Sequence, residues 1–225
     1  MISVWKMTFF LGIALVITSC SSSNKAIVKE SKYIKPELQN DAQLLSLQIS
    51  RSVTPDPVLT AKIKEMLITA RSYTSEIRNV HVRNPWNPTQ LILSMKGDTP
   101  RLKTENPKQT GYAELDELNK TYPVEKIQFM FKQNYTLHFV RPINMPILVE
   151  SYKKLEGVAF AEIDRAAGDG DNIVLKRDGE GWELTFIRGW GDCPAGCIHK
   201  HFWDFRFDKE GSITEFKERG DPVPK

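Results

Sequence analysis

No stretch of this 225-residue sequence is apolar for long enough to span a bilayer. The longest run, Met7–Ile17, is broken only by Thr8 and Gly12 and stops after 11 residues, against the roughly 20 that a membrane helix requires. Cysteine is scarce, with three in the whole chain, and histidine hardly less so, with four. Charge of one sign is missing too. The formal net charge is +3, with 31 Lys and Arg interspersed among 28 Asp and Glu, so composition gives no electrostatic case for nucleic acid. The sequence holds no G-x-x-x-x-G-K-[ST], G-x-S-x-G, H-E-x-x-H or G-x-G-x-x-G pattern. The usual local signatures of nucleotide binding, serine hydrolysis and zinc peptidase chemistry are therefore absent. Carboxylates placed on distant strands leave no such trace, so catalysis is weakened by this, not excluded, and no catalytic residue is assigned.

What is present begins at the amino terminus. Lys6 precedes the short apolar run, which leads through Ile17-Thr18-Ser19 to Cys20. This is the layout of a secretory signal, to be set aside from fold reasoning. The small residues ending in cysteine resemble the lipobox of bacterial lipoproteins. That resemblance implies cleavage between Ser19 and Cys20, acylation of Cys20, and a membrane partner reached through the N-terminal lipid. Ser21 directly after it implies the outer membrane in the enteric sorting scheme, with the rest of the chain facing the periplasm or the cell surface. Several acyl chains at about 0.8 kcal/mol per buried methylene anchor a protein firmly without a spanning helix. Residues 20–35 then read as a lipidated, Lys-rich tether. Without residues 1–19, which hold one lysine and no acid, 206 residues remain at a formal charge of +2. With 5 Trp, 6 Tyr and 11 Phe in the whole sequence, the chain can build a substantial core of one or two small domains.

Periodicity divides the remainder. Residues 36–87 read as an N-terminal helical segment. Its first helix, from Pro36, is loosely phased. Its second runs over Asp56–Tyr73 with Leu59, Ile63, Met66, Leu67 and Ala70 on one stripe, capped by Asp56 ahead of Pro57. The N-P-W-N-P run at 84–88 is expected to break regular structure. Over 88–164 the periods switch in order. Thr89–Met95 alternates, Tyr112–Tyr122 has helical spacing, Val124–Lys132 and Tyr135–Val140 alternate around a short turn, Asn144–Leu155 is helical up to Gly157, and Val158–Asp164 is extended. Strand, helix, strand, strand, helix, strand predicts an α+β, ferredoxin-like βαββαβ layer. Residues 165–225 predict a C-terminal antiparallel β meander turning at Asp178-Gly179 and Lys209-Glu210-Gly211.

The wording of one stretch points further. "VESYKKLEGVAFAEID", residues 149–164, resembles the propeptides and inhibitors of subtilisin-type proteases over roughly 88–164. That resemblance implies a ferredoxin-like fold and an exported protease as partner. The chain departs from those proteins after residue 164, where it runs on into the meander. The leading expectation is a non-enzymatic, lipid-anchored, protein-binding module.

Residues 189–203, "GWGDCPAGCIHKHFW", concentrate Cys193, Cys197, His199, His201 and two tryptophans. On one extended strand, Cys197, His199, His201, Trp203, Phe205 and Phe207 share a face. Two readings stay open. A structural disulfide between Cys193 and Cys197 suits an oxidising compartment and the Pro-Ala-Gly turn between them. Alternatively the two cysteines and two histidines hold zinc or copper, although C-x3-C-x-H-x-H is no established metal spacing. The phrase also resembles a G-W-G-D-C-P-x-G-C-I signature of exported bacterial proteins, which implies a family and no chemistry. Asp164, Asp169, Asp171 and Asn172 offer calcium-type oxygens outside the EF-hand pattern and read first as a solvated turn. His138 is expected on the sheet face opposite Leu137 and Phe139, His81 beside Trp86 suggests nothing specific, and Tyr112, Phe129, Phe131 and Phe160 read as core.

Overall fold

The computed structural model describes residues 36–224, so the expected signal, Ser19, Cys20 and tether lie outside the described residues. Four helices and eight strands fall in the order α1 (Pro36–Ser50), α2 (Pro57–Tyr73), β1 (Trp86–Met95), α3 (Ala113–Thr121), β2 (Val124–Phe131), β3 (Asn134–Phe139), α4 (Met145–Tyr152), β4 (Val158–Arg165), β5 (Asn172–Asp178), β6 (Gly181–Trp190), β7 (His199–Phe207) and β8 (Ile213–Gly220). The fold is mixed α+β, with two four-stranded sheets ordered β2-β3-β1-β4 and β5-β6-β7-β8. Every pairing in both is antiparallel. Among the described residues no helix is long and apolar enough to cross a membrane.

The first sheet owes its one-sided core to alternation. Leu91, Leu93 and Met95 on β1 and Tyr135, Leu137 and Phe139 on β3 point the same way and bury against Leu115 of α3 and Leu148, Val149 and Tyr152 of α4. Inside that layer the buried Tyr152 hydroxyl donates to Asn119 Oδ1 at 2.9 Å, linking the two helices. Burial pushes the Tyr152 hydroxyl up from its ordinary value.

The second core joins the two ends of the described chain. Trp182, Leu184 and Phe186 of β6 and Trp203, Phe205 and Phe207 of β7 are buried with Ala42 and Leu45 of α1, Ile63, Met66, Leu67 and Ala70 of α2, and Ile77 and Val80. The N-terminal helical segment is thus the layer that covers the C-terminal sheet. The meander forms its own sheet around that core.

Local expectations are corrected in three places. The N-P-W-N-P run is not free of regular structure, because Trp86, Asn87 and Pro88 open β1. They do so across a register shift between Trp86 and Leu91, which is where a sheet tolerates proline. Asn144, which the sequence offers as the cap of α4 with Pro146 near its start, stands at the N-cap but makes no side-chain cap bond. Phe129, Phe131 and Phe160 are not core: they are 41%, 62% and 41% exposed. Phe129 and Phe131 lie on β2 and Phe160 on β4, the two edge strands of the first sheet, and a shift between Phe129 and Phe131 interrupts the alternation. Tyr112 is half-buried against that core, and His138 is half-buried beside the buried Leu137 and Phe139.

Candidate functional site: a braced surface loop

The chain leaves β6 at Trp190, turns through 191–198 and re-enters at His199, with Trp190 and His199 paired in register. Two glycines make this path practicable. Gly191 has φ +94, in the left-handed region. At Gly189 a Cβ would stand 2.6 Å from Cys197 Sγ, so only glycine lets the sulfur lie against the strand. Cys193 and Cys197 sit at disulfide-bonding distance and form the loop's covalent tie. Inside it Ala195 N–H donates to the Asp192 carbonyl and Gly196 N–H to the Cys193 carbonyl.

A second loop holds the first. Asp169, between β4 and β5, donates its N–H to the Cys193 carbonyl at 2.7 Å. Its Oδ2 accepts from Cys197 N–H at 3.2 Å and faces Lys200 Nζ at 2.7 Å, while Oδ1 accepts from Gly170 N–H. Asp171 Oδ1 accepts from Gly189 N–H, and Asn172 Oδ1 from Arg83 and Ile173 N–H. Asp169, Asp171 and Asn172 thus each accept from protein donors, and the acidic turn is a brace. Asp164 lies apart, with its Oδ2 3.4 Å from Asn87 Nδ2. The Lys200 ammonium, then the Gly170 and Cys197 N–H groups, hold the Asp169 carboxyl down at about 2 from an ordinary 3.8. A carboxylate with a lowered folded value lends stability above its unfolded value and loses it as pH falls through the folded one. The two loops should accordingly part as pH drops from about 4 towards 2. Protection of the Cys197 amide, its exchange rate compared with that of the unfolded chain at the same pH, should fall there, and Asp169→Asn should abolish the pH dependence. Protection unchanged across that window in the wild-type chain would contradict the brace.

The histidines take other partners. His199 stacks on Trp190 with ring centroids 5.6 Å apart and an interplanar angle of 23°. Its Nδ1 lies 3.1 Å from Asp221 Oδ2. His201 Nδ1–H donates to the Asp221 carbonyl at 2.8 Å, and its ring packs on Trp203 at 4.4 Å. His201 Nε2 is buried with no hydrogen-bond partner and lies 3.7 Å from Glu218 Oε2. Cys193, Cys197, His199 and His201 are not brought to one point. The sulfurs face each other while both imidazoles turn to the segment after β8. Among the described residues no three His, Cys, Asp or Glu side chains are placed to hold a metal ion.

The product is a stiffened projection with an apolar tip. Asp192, Pro194, Ala195, Gly196 and Ile198 are exposed or nearly so, and Ile198 reaches 69%. The loop contributes nothing to either buried core. Cys193→Ser should cost about 2 kcal/mol, since the bridge closes a loop of only about five residues. The loss should show as faster amide exchange confined to 189–199 with both sheets intact; global unfolding would show the bridge to be a core element. Sequence reasoning missed Asp169 as the brace and Asp221 as the histidine clamp. Only the acid-and-glycine spacing of 168–171 hinted at the first.

Compared with protein-family models, with curated proteins and with solved structures, the chain matches none.

Proposed function

We propose that this chain is an exported, lipid-anchored module that binds another protein, with the 189–199 segment as the surface it presents. The observation that carries this reading is the bracing of an exposed loop. A disulfide, the Asp169 bonds and the Gly189 contact all stiffen a segment whose side chains stay in solvent. Rigidity there adds nothing to core burial. It does remove the ordering cost of forming an interface, which is the advantage of a preorganised recognition loop. An exposed Ile198, next in the chain to the His199 that stacks on Trp190, suits an apolar anchor ringed by polar groups.

The lipid anchor at Cys20, the outer-membrane address and the membership in a family of exported proteins rest on the sequence resemblances. The same reading takes β1–α3–β2–β3–α4–β4 as a ferredoxin-like layer, supported by the alternation of its elements and by both helices packing on one face. The likeness of residues 149–164 to subtilisin propeptides names the sharpest partner, an exported subtilisin-type protease.

The test is a photo-crosslinking residue placed at Ala195 or Ile198 of the full chain in cells that export it, with Thr214 on β8 as the control position. A discrete adduct at the loop positions, absent at Thr214 and lost with Cys193→Ser, is the expected result. Equal labelling at all three positions, or none, would overturn the reading. Nanomolar inhibition of an exported subtilisin-type protease by the purified chain would establish the sharper version, and no inhibition across a panel of them would sink it.

A further inference from the structure

Between α1, α2 and the chain that follows β3, five polar side chains line one cleft. Gln39 and Gln43 stand one turn apart on α1, Thr60 and Lys64 one turn apart on α2, and Arg141 comes from the connection between β3 and α4. Together with Pro55, Pro57 and Ala61 they line an open cleft of about 300 Å³. That is at the small end of ligand-binding pockets. No carboxylate lines it. Neither Lys64 nor Arg141 pairs with any acid among the described residues, whereas Lys200, Arg206, Lys217 and Arg219 each do so. The Thr60 side chain, 6% exposed, carries a buried hydroxyl with no hydrogen-bond partner, and a buried polar group left unpaired is costly unless something arrives to satisfy it.

We infer that this cleft is an oxyanion site that takes a phosphoryl group. The chemistry follows from the donors. Arg141 offers a planar fork suited to two oxygens of a tetrahedral anion and Lys64 a compact positive charge. The Gln39 and Gln43 amides and the Thr60 hydroxyl donate from the two helices. The walls, Pro55 and Pro57, are conformationally fixed, so little order has to be gained on binding. The volume leaves room for a sugar-sized group beside the phosphate. A soluble phosphorylated sugar and the phosphorylated headgroup of an envelope lipid present the same anion. The site is independent of the braced loop, and its failure would leave the loop's role untouched.

The experiment is a titration of the purified full chain carrying Cys20→Ala, followed by amide NMR shifts at residues 39–64 and 141. The probes are inorganic phosphate, a hexose 1-phosphate, the unphosphorylated hexose and acetate. Saturable shifts with both phosphates and none with the hexose are expected. Lys64→Met and Arg141→Met should each weaken binding about tenfold or more, as expected for losing a charged hydrogen bond, and Thr60→Val should weaken it without lowering Tm. Vesicles containing phosphatidylglycerol separate the sources. Chain pulled down by them and released by hexose 1-phosphate assigns a lipid headgroup, while binding of the soluble phosphate alone assigns the free ester. No shift with millimolar phosphate, equal binding of acetate, or binding unchanged in the Lys64→Met, Arg141→Met double variant would overturn the inference.

Discussion

Residues 165–225 expressed alone will not hold their sheet. They will give no cooperative unfolding transition, whereas residues 84–165 expressed alone will give one. The reason is where the apolar faces go. In the full chain Trp182, Phe186, Trp203, Phe205 and Phe207 are buried beneath α1 and α2, which lie far ahead of them in the sequence. Removing those helices bares one whole face of a four-stranded sheet, at about 25 cal/mol per Å² of apolar surface returned to water. A piece of that size is marginal even when its core is complete. The middle piece carries its own cover, since α3 and α4 supply Leu115, Leu148, Val149 and Tyr152. Circular dichroism and thermal melts of the two fragments decide it. A cooperative melt from 165–225 would mean that α1 and α2 are an accessory and not a layer.

Asp41→Ala should be the most damaging single substitution outside the apolar core, at about 3–5 kcal/mol. Asp41, on α1, is 1% exposed. Its Oδ2 accepts from Arg71 Nη2 at 2.7 Å and faces His81 Nδ1 at 2.9 Å, and its Oδ1 accepts from Val82 N–H at 2.8 Å. Arg71 also donates to the Val80 carbonyl. One carboxylate thus ties α1, α2 and the 77–82 segment over the second core. Its removal strands a largely buried guanidinium and an unpaired N–H, the situation in which a broken pair costs far more than the pair was worth. For a protein of this size the loss corresponds to a fall in Tm of roughly 10–15 °C. Replacing both partners, as Asp41→Leu with Arg71→Met, should recover part of it because no charge is then left behind. Urea unfolding of the three proteins measures both effects. A change below about 1 kcal/mol for Asp41→Ala would show the pair to be dispensable, as exposed pairs are.

Both expectations rest on contacts between distant segments, and that is where the sequence is least legible. Local periodicity places α2, α3, β2, β3 and β4 to within a residue or two, and in α2 and β3 the reason is visible, since each buries its apolar stripe. It also brings Trp203, Phe205 and Phe207 to one face of β7. The partner of that face is not legible, because no local pattern says which distant stripe will cover it. Asp41 breaks the apolar stripe of α1 and makes that helix look poorly phased; its position becomes intelligible only with Arg71 and His81 beside it. Phe129, Phe131 and Phe160 look like core in the sequence because alternation reports which face a residue takes and not whether its strand lies at an edge. In the loop, the turn residues between Cys193 and Cys197 make their pairing one of two readings, beside a metal site shared with His199 and His201. The brace from Asp169 does not, since a hydrogen bond across 28 residues leaves no mark on spacing.

The stiffness of the 191–198 loop is what any role for it depends on, and ¹⁵N relaxation of the oxidised chain measures it directly. Amide order parameters across Gly191–Ile198 near the rigid-backbone value of about 0.85, falling in both Cys193→Ser and Asp169→Asn, are expected. Values below about 0.6 in the unmodified chain would contradict it, and the loop would then be an ordinary connection between β6 and β7.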